Sequence, residues 1–180
     1  QFLFQDTTVK YYLANDPAAN SLLYDYDSNP AALAAMSALN DATNANLHPF
    51  VGAGGKLILW HGGNDAALSY TATTDYYNQV VTAVGGQANA DQFVRYYIAP
   101  GVNHCAGGPG ADSADLLSAL DAWVSKGHAP KTLRAKRVDA VTGETVLTRP
   151  LCVYPAYPRY DGKGDVNLAR FHLPDGFNKV

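Results

Sequence analysis

Two glycine-rich stretches concentrate the residue types that move protons. The first, His61-Gly62-Gly63-Asn64-Asp65, directly follows the apolar run KLILW; the second, Gly101-Val102-Asn103-His104-Cys105-Ala106-Gly107-Gly108-Pro109-Gly110, directly follows FVRYYIAP. An acid after one candidate strand and a histidine after the next, 39 residues apart, follow the chain order of the last two members of a Ser…Asp…His triad. In that arrangement His104 takes the proton from a serine hydroxyl. Asp65 holds the imidazole in the required tautomer and stabilises its charged form. Spacing alone leaves a plainer alternative open, because one histidine and one aspartate in glycine-rich loops also occur without catalytic meaning. His61 reads as a satisfied histidine at a strand end. His61, Asp65 and His104 are ligand types that suit zinc, yet no H-E-x-x-H or comparable spacing supports a metal site.

Groups placed this way need strands that end side by side. KLILW at 56–60 is a short apolar run of buried-strand type, and FVRYYIAP at 93–100 is the next. Between them, residues 71–84 set Tyr76, Tyr77, Val80, Val81 and Val84 at spacings of three and four, which predicts a helix ending at Gly85-Gly86. A second helix, capped by Asp112 or Ser113, runs through Leu116, Leu117, Leu120, Trp123 and Val124 to Gly127. Strand, helix, strand, helix is a βαβα unit, and such units build parallel sheets whose functional groups gather beyond the carboxyl ends of the strands. Arg134–Val138 and Glu144–Thr148, around Thr142-Gly143, look like a hairpin, and the proline- and glycine-rich tail from Pro150 should be irregular. Upstream, residues 2–12 mix aromatic and β-branched types and could be extended. Ser28 and Pro30 announce a helix reaching about residue 46.

Length and composition exclude several classes. The chain has 180 residues, enough for one domain with a real core at ~150 residues per domain, and too short for two catalytic domains. Only 16% of residues are charged and 47% are hydrophobic, which excludes a disordered chain. The net charge is −3, but residues 1–125 hold three Lys/Arg against eleven Asp/Glu, and residues 126–180 hold ten against five. The densest basic run, Lys131, Arg134, Lys136 and Arg137, reads as a solvated edge rather than a nucleic-acid surface, since no reading motif accompanies it. Glu144 is the single glutamate, which makes paired-Glu glycosidase chemistry a poor fit. No run approaches the ~20 apolar residues of a membrane span, and the first residues lack the basic and apolar regions of a signal peptide. Two cysteines, Cys105 and Cys152, without a C-x-x-C, are too few for zinc-knuckle or iron-sulfur ligation.

KLILWHGGNDAALS, Asp75-Tyr76-Tyr77, IAPGVNHCAGGPGADSADLLSALDAWVSKGHAP and TRPLCVYPAYPRYDGKGD together resemble the C-terminal portion of the tannase and feruloyl esterase family, which also contains a plastic-monomer esterase. The resemblance runs from about residue 2 to residue 171, and its N-H-C-A-G-G-P-G stretch is highly specific. It implies the C-terminal part of an α/β-hydrolase parallel sheet with flanking helices, a C-terminal hairpin and an irregular tail. Residues 1–50 would be the end of a lid and the return segment, 51–130 the βαβα unit with the acid and base, and 131–180 the hairpin and tail. It also implies that Asp65 and His104 are the acid and base of the triad. Cys105 corresponds to a cysteine that in this family pairs with one directly before the nucleophilic serine.

The family's nucleophile lies far upstream, ahead of a large lid. None of Ser21, Ser28, Ser37, Ser69, Ser113, Ser118 and Ser125 sits in a G-x-S-x-G or Cys-Ser-x-Gly-Gly setting. The expected partner is therefore the N-terminal part of the same precursor, which would supply the serine and the oxyanion donors. The resemblance implies a secreted or periplasmic serine esterase for aromatic esters of gallate or hydroxycinnamate type. It implies no cofactor on these residues, and calcium only in the lid. Relatives often carry a further cysteine after the position of Phe171, paired with the one at Cys152; here His172-Leu173 follows, so Cys152 reads as a buried unpaired thiol. Simple counting would pair Cys105 with Cys152, but the expectation here is that they do not pair. The rival reading is a non-catalytic fragment or binding module that keeps the hydrolase loops.

Overall fold

A computed structural model of the chain describes residues 2–160, 162, 163, 171 and 172. It divides into two compact units, residues 1–44 and 45–180. The first unit opens with helix α1 (Phe2–Thr8), which widens into a π-helical turn over Val9–Leu13, where an extended segment was expected from residue types. The period explains the difference. Val9 and Leu13, four apart, are both buried, and Asp6 and Lys10, also four apart, form an ion pair of 2.8 Å. Ser21, in a short 3₁₀ turn over Ser21–Leu23, donates to the same carboxylate at 2.9 Å. Helix α2 (Pro30–Asn40) starts with Pro30 in its first turn, and its cap is Asn29, whose side chain accepts from the Ala32 amide at 3.1 Å. It stops six residues before the expected end, at Asn40-Asp41, where Asp41, Thr43 and Asn44 favour local turns over helix.

The second unit begins with α3 (His48–Gly52) and then builds a parallel pair. Strand β1 (Leu57–Gly62) is followed by α4 (Tyr70–Ala83), the short α5 (Gln87–Ala90) and strand β2 (Val94–Ala99). The register runs from Leu57 opposite Val94 to Gly62 opposite Ala99, so both strands end at the same level. β1 extends two residues beyond its apolar run and carries His61 and Gly62. Alternation then divides the side chains between two cores. On one face Leu57, Leu59, Val94, Tyr96 and Ile98 pack with Tyr77 and Val80 of α4 and with Phe93. On the other, Ile58, Trp60, Tyr97 and Ala99 pack with Leu133, Ala135, Leu147 and Leu151. A sheet buried on both faces explains why its strands read as apolar runs.

Strand β3 (Ser113–Ala114) and helix α6 (Leu116–Lys126) follow. Neither Asp112 nor Ser113 is the cap of α6. Asp115 is, accepting from the Ser118 amide at 3.0 Å, because Ser113 and Ala114 are taken up in pairing with Lys136 and Ala135. The far end is a left-handed Gly127, as its sequence signal requires. Leu116 and Ala119 of α6 join the second core. Strands β4 (Thr132–Val138) and β5 (Thr145–Cys152) form the expected hairpin, antiparallel, in a sheet ordered β3-β4-β5. The tail is thus more regular than expected. β5 continues through Pro150 to Cys152, which a proline permits on a strand at the edge of its sheet. Beyond it, β6 (Arg159–Tyr160) pairs with β7 (Phe171–His172). Leu173 lies outside the described residues.

Candidate active site

Asp65 sits three residues past β1, and His104 five residues past the neighbouring β2. His104 Nδ1 and Asp65 Oδ2 are 2.9 Å apart. A carboxylate only accepts, so Nδ1 carries the hydrogen and Nε2 is left with its lone pair. The two side chains differ sharply in exposure, 4% for Asp65 against 51% for His104. Asp65 Oδ1 accepts from the amides of Ala67 at 2.8 Å and Leu68 at 2.9 Å. The Leu68 amide, then the His104 ring and the Ala67 amide, hold the Asp65 carboxyl well below the usual carboxylate range, against a burial that would raise it. The result is a fixed anion beside a half-exposed imidazole whose free nitrogen faces away from the acid. That arrangement can accept a proton at Nε2 and stabilise the imidazolium it forms.

Backbone closeness holds the two loops together. The Gly63 amide donates to the Ala99 carbonyl at 2.8 Å, and the Asn64 amide to the Val102 carbonyl at 2.9 Å. A Cβ on Gly62 would lie 2.3 Å from the Asn103 carbonyl oxygen and 2.5 Å from that of Val102, so only glycine lets the loops meet. Asn64 Nδ2 donates to Asn103 Oδ1 at 3.0 Å, joining the neighbour of the acid to the neighbour of the base.

The base loop folds back on itself. Just after His104 the chain turns through Cys105 at φ +65°, and the Ala106 amide donates to the His104 carbonyl at 2.8 Å. Asp112 accepts from the Gly107 amide at 2.8 Å, and Arg137 of β4 donates to the Pro109 carbonyl at 2.8 Å and that of Gly108 at 3.3 Å. Gly108, at φ +83°, passes so near Gly101 that a Cβ would stand 2.4 Å from its carbonyl oxygen. Asn64, Asn103, Asp112 and Arg137 were not singled out for this work by sequence reasoning. Asp112 had a signal in its place just after the glycine run, whereas Arg137 reaches the loop only through the hairpin and had none.

Other candidates take plain positions. His61 lies at the end of β1, with Nδ1 2.8 Å from Thr73 Oγ1 and Nε2 3.1 Å from the Leu68 carbonyl and 3.3 Å from Asp65 Oδ2. Ser69 is the cap of α4: its Oγ accepts from the Thr71 amide at 3.2 Å. No serine hydroxyl bonds the His104 ring among the described residues. Cys105 is exposed and Cys152 buried, and both are free thiols, not paired with each other. Burial pushes the Cys152 thiol up to about 11. Among the described residues no three His, Cys, Asp or Glu side chains gather in a way that could hold a metal ion. No helix among them is long and apolar enough to cross a membrane.

Residues 2–172 match the profile of the family described as tannase and feruloyl esterase. The chain belongs to that family. Among curated proteins, it is 41% identical over 159 residues to a mono(2-hydroxyethyl) terephthalate hydrolase of Piscinibacter sakaiensis, covering 83% of this chain and 26% of that one. It is 40% identical over 129 residues to a probable feruloyl esterase of Arthroderma benhamiae, covering 71% and 24%. Among solved structures, an esterase from Aspergillus oryzae superposes with a TM-score of 0.77 at 26% identity, over 89% of this chain and 35% of that one. Feruloyl esterase B from the same organism gives 0.71 at 26% identity, over 90% and 35%. This tannase and feruloyl esterase segment has the α/β-hydrolase-like fold of those esterases. It spans about a quarter of the length of the two curated relatives.

Proposed function

We propose that this chain supplies the acid and base of a Ser-His-Asp triad in a carboxylic ester hydrolase acting on aromatic esters of gallate or hydroxycinnamate type. The observation that carries the reading is the 2.9 Å contact between Asp65 and His104 at the carboxyl ends of adjacent parallel strands. In the mechanism His104 Nε2 takes the proton of a serine hydroxyl as that oxygen attacks the ester carbonyl. The same nitrogen then returns the proton to the departing alcohol, leaving an acyl-enzyme. His104 next draws a proton from water, whose oxygen attacks the acyl carbonyl; that proton passes to the serine oxygen as the carboxylic acid leaves, restoring the free serine. Asp65 stays ionised throughout and holds the ring. The serine and the oxyanion donors come from the N-terminal part of the same precursor. There a cysteine directly before the serine bonds Cys105 and clamps the serine loop to the base loop. The setting is secreted or periplasmic, where such a bond persists.

The substrate class rests on the family and on relatives named for feruloyl and terephthalate esters. The test is hydrolysis of methyl ferulate and methyl gallate by the complete enzyme. His104→Ala and Asp65→Asn should each lower kcat by on the order of 10⁴-fold or more, as triad deletions do elsewhere. Undiminished turnover by either variant rejects the assignment.

A further inference from the structure

His61 is the satisfied histidine at a strand end that its sequence position suggests, and it is also the second imidazole beside the acid. Its Nε2 faces two groups that can only accept, the Leu68 carbonyl at 3.1 Å and Asp65 Oδ2 at 3.3 Å, so that nitrogen carries the hydrogen. In the neutral ring Nδ1 then accepts, and the Thr73 hydroxyl of α4 donates to it at 2.8 Å. Every position on the ring is accounted for, and the side chain is only 13% exposed. The carboxylate is equally occupied. Oδ1 takes the amides of Ala67 and Leu68, and Oδ2 takes His104 and lies 3.3 Å from His61 Nε2.

We propose that His61 is a positioning residue for the acid: its Nε2 bond to the Leu68 carbonyl fixes the 65–68 loop and, through that loop, the orientation of the Asp65 carboxylate toward His104. This rests on the reading of Asp65 and His104 as acid and base. The physical argument is one of inheritance. His104 is half exposed, so its one bond to Asp65 sets the direction in which Nε2 points. Asp65 in turn lies on a tight loop whose last carbonyl, that of Leu68, is tied back to strand β1 through His61. Thr73 anchors the ring from the helix that follows, so a rigid element on each side of the loop holds the donor. Loss of that bond loosens the loop that carries the carboxylate, and misplacement by about 1 Å at such a site costs on the order of 10²-fold in rate.

The test compares two polar variants in the complete enzyme, with methyl ferulate as substrate. Glutamine in His61→Gln carries an amide nitrogen to the place of Nε2 and can still donate to the Leu68 carbonyl. Asparagine in His61→Asn reaches only the place of Nδ1 and can meet Thr73 but not the Leu68 carbonyl. His61→Asn should lose about 10- to 100-fold in kcat with KM changed less than about twofold, and His61→Gln should recover most of that loss. Histidine-selective ¹⁵N labelling of the complete enzyme should show His61 with Nε2 protonated and Nδ1 bare. The His104 Nδ1–H resonance should move in His61→Asn and hold its place in His61→Gln. Equal activity in the two folded variants with an unmoved His104 resonance overturns the proposal, as does a His61 protonated at Nδ1 alone. If Asp65→Asn retains full activity, it is the triad reading that fails, and the two failures are therefore distinct.

Discussion

Asp65 combines near-complete burial with three hydrogen bonds to its charged form, from His104 and the amides of Ala67 and Leu68. Its folded value lies below the ordinary carboxylate value of ~3.9, so the bonds favour the folded state above that pH and are lost as pH falls through the folded value. The stability advantage of the native chain over Asp65→Asn should accordingly be greatest at pH 5 and above and shrink toward pH 2, as read from urea midpoints across that range. A constant gap would mean that the amides bind the carboxylate no better than the carboxylic acid. The two thiols should also part company. Cys152 is 4% exposed with its thiol pushed up to about 11, whereas Cys105 is exposed. In the reduced, folded chain at pH 8, iodoacetamide should alkylate Cys105 at least ~10-fold faster, with mass mapping of the two peptides as the readout.

At the scale of the element, the parallel pair β1 and β2 brings two loops to one level, and Gly62 allows their close approach. Gly62→Ala would drive a methyl into the Val102 and Asn103 carbonyls, and should destabilise the fold by about 1–3 kcal/mol by overpacking. It should also lower kcat in the complete enzyme, because the displaced backbone carries His104. Ser69 offers the contrasting case, as its hydroxyl is engaged at the start of α4. Ser69→Ala should cost ~1 kcal/mol of stability, from thermal or urea unfolding, while kcat stays within about twofold. A collapse of kcat in that variant would make Ser69 the nucleophile and displace the proposed upstream serine. The helix ends were legible where one residue dictates them, as with Pro30 and Gly127. The cap of α6 was not, because β3 pairing claims Ser113 and Ala114 and moves the start to Asp115.

At the scale of the whole molecule, a base and an acid without a nucleophile between them cannot form an acyl-enzyme. The 180-residue chain by itself should therefore show no turnover of methyl ferulate or methyl gallate above background, and mixing with the serine-bearing segment should restore it. Non-reducing peptide mapping of the complete enzyme should find Cys105 linked to a peptide containing Cys-Ser. A Cys105–Cys152 peptide would instead contradict the proposed clamp.

The sequence by itself determined the βαβα order, the hairpin, and the choice of Asp65 and His104 as the residues to watch. Those features are local: apolar runs, helical spacing, glycine punctuation and two loops of unusual composition. The helical character of residues 2–13 was hidden by aromatic and β-branched types, whose strand preference reflects packing on a sheet more than the backbone itself. Only tertiary structure decided that the carboxylate and imidazole stand 2.9 Å apart, that Arg137 braces the base loop from a strand nearly 30 residues on, and that His61 bonds the Leu68 carbonyl beside the acid. Register, close backbone approach and the direction of a ring nitrogen arise from packing between segments distant in the chain, and no spacing along one segment encodes them.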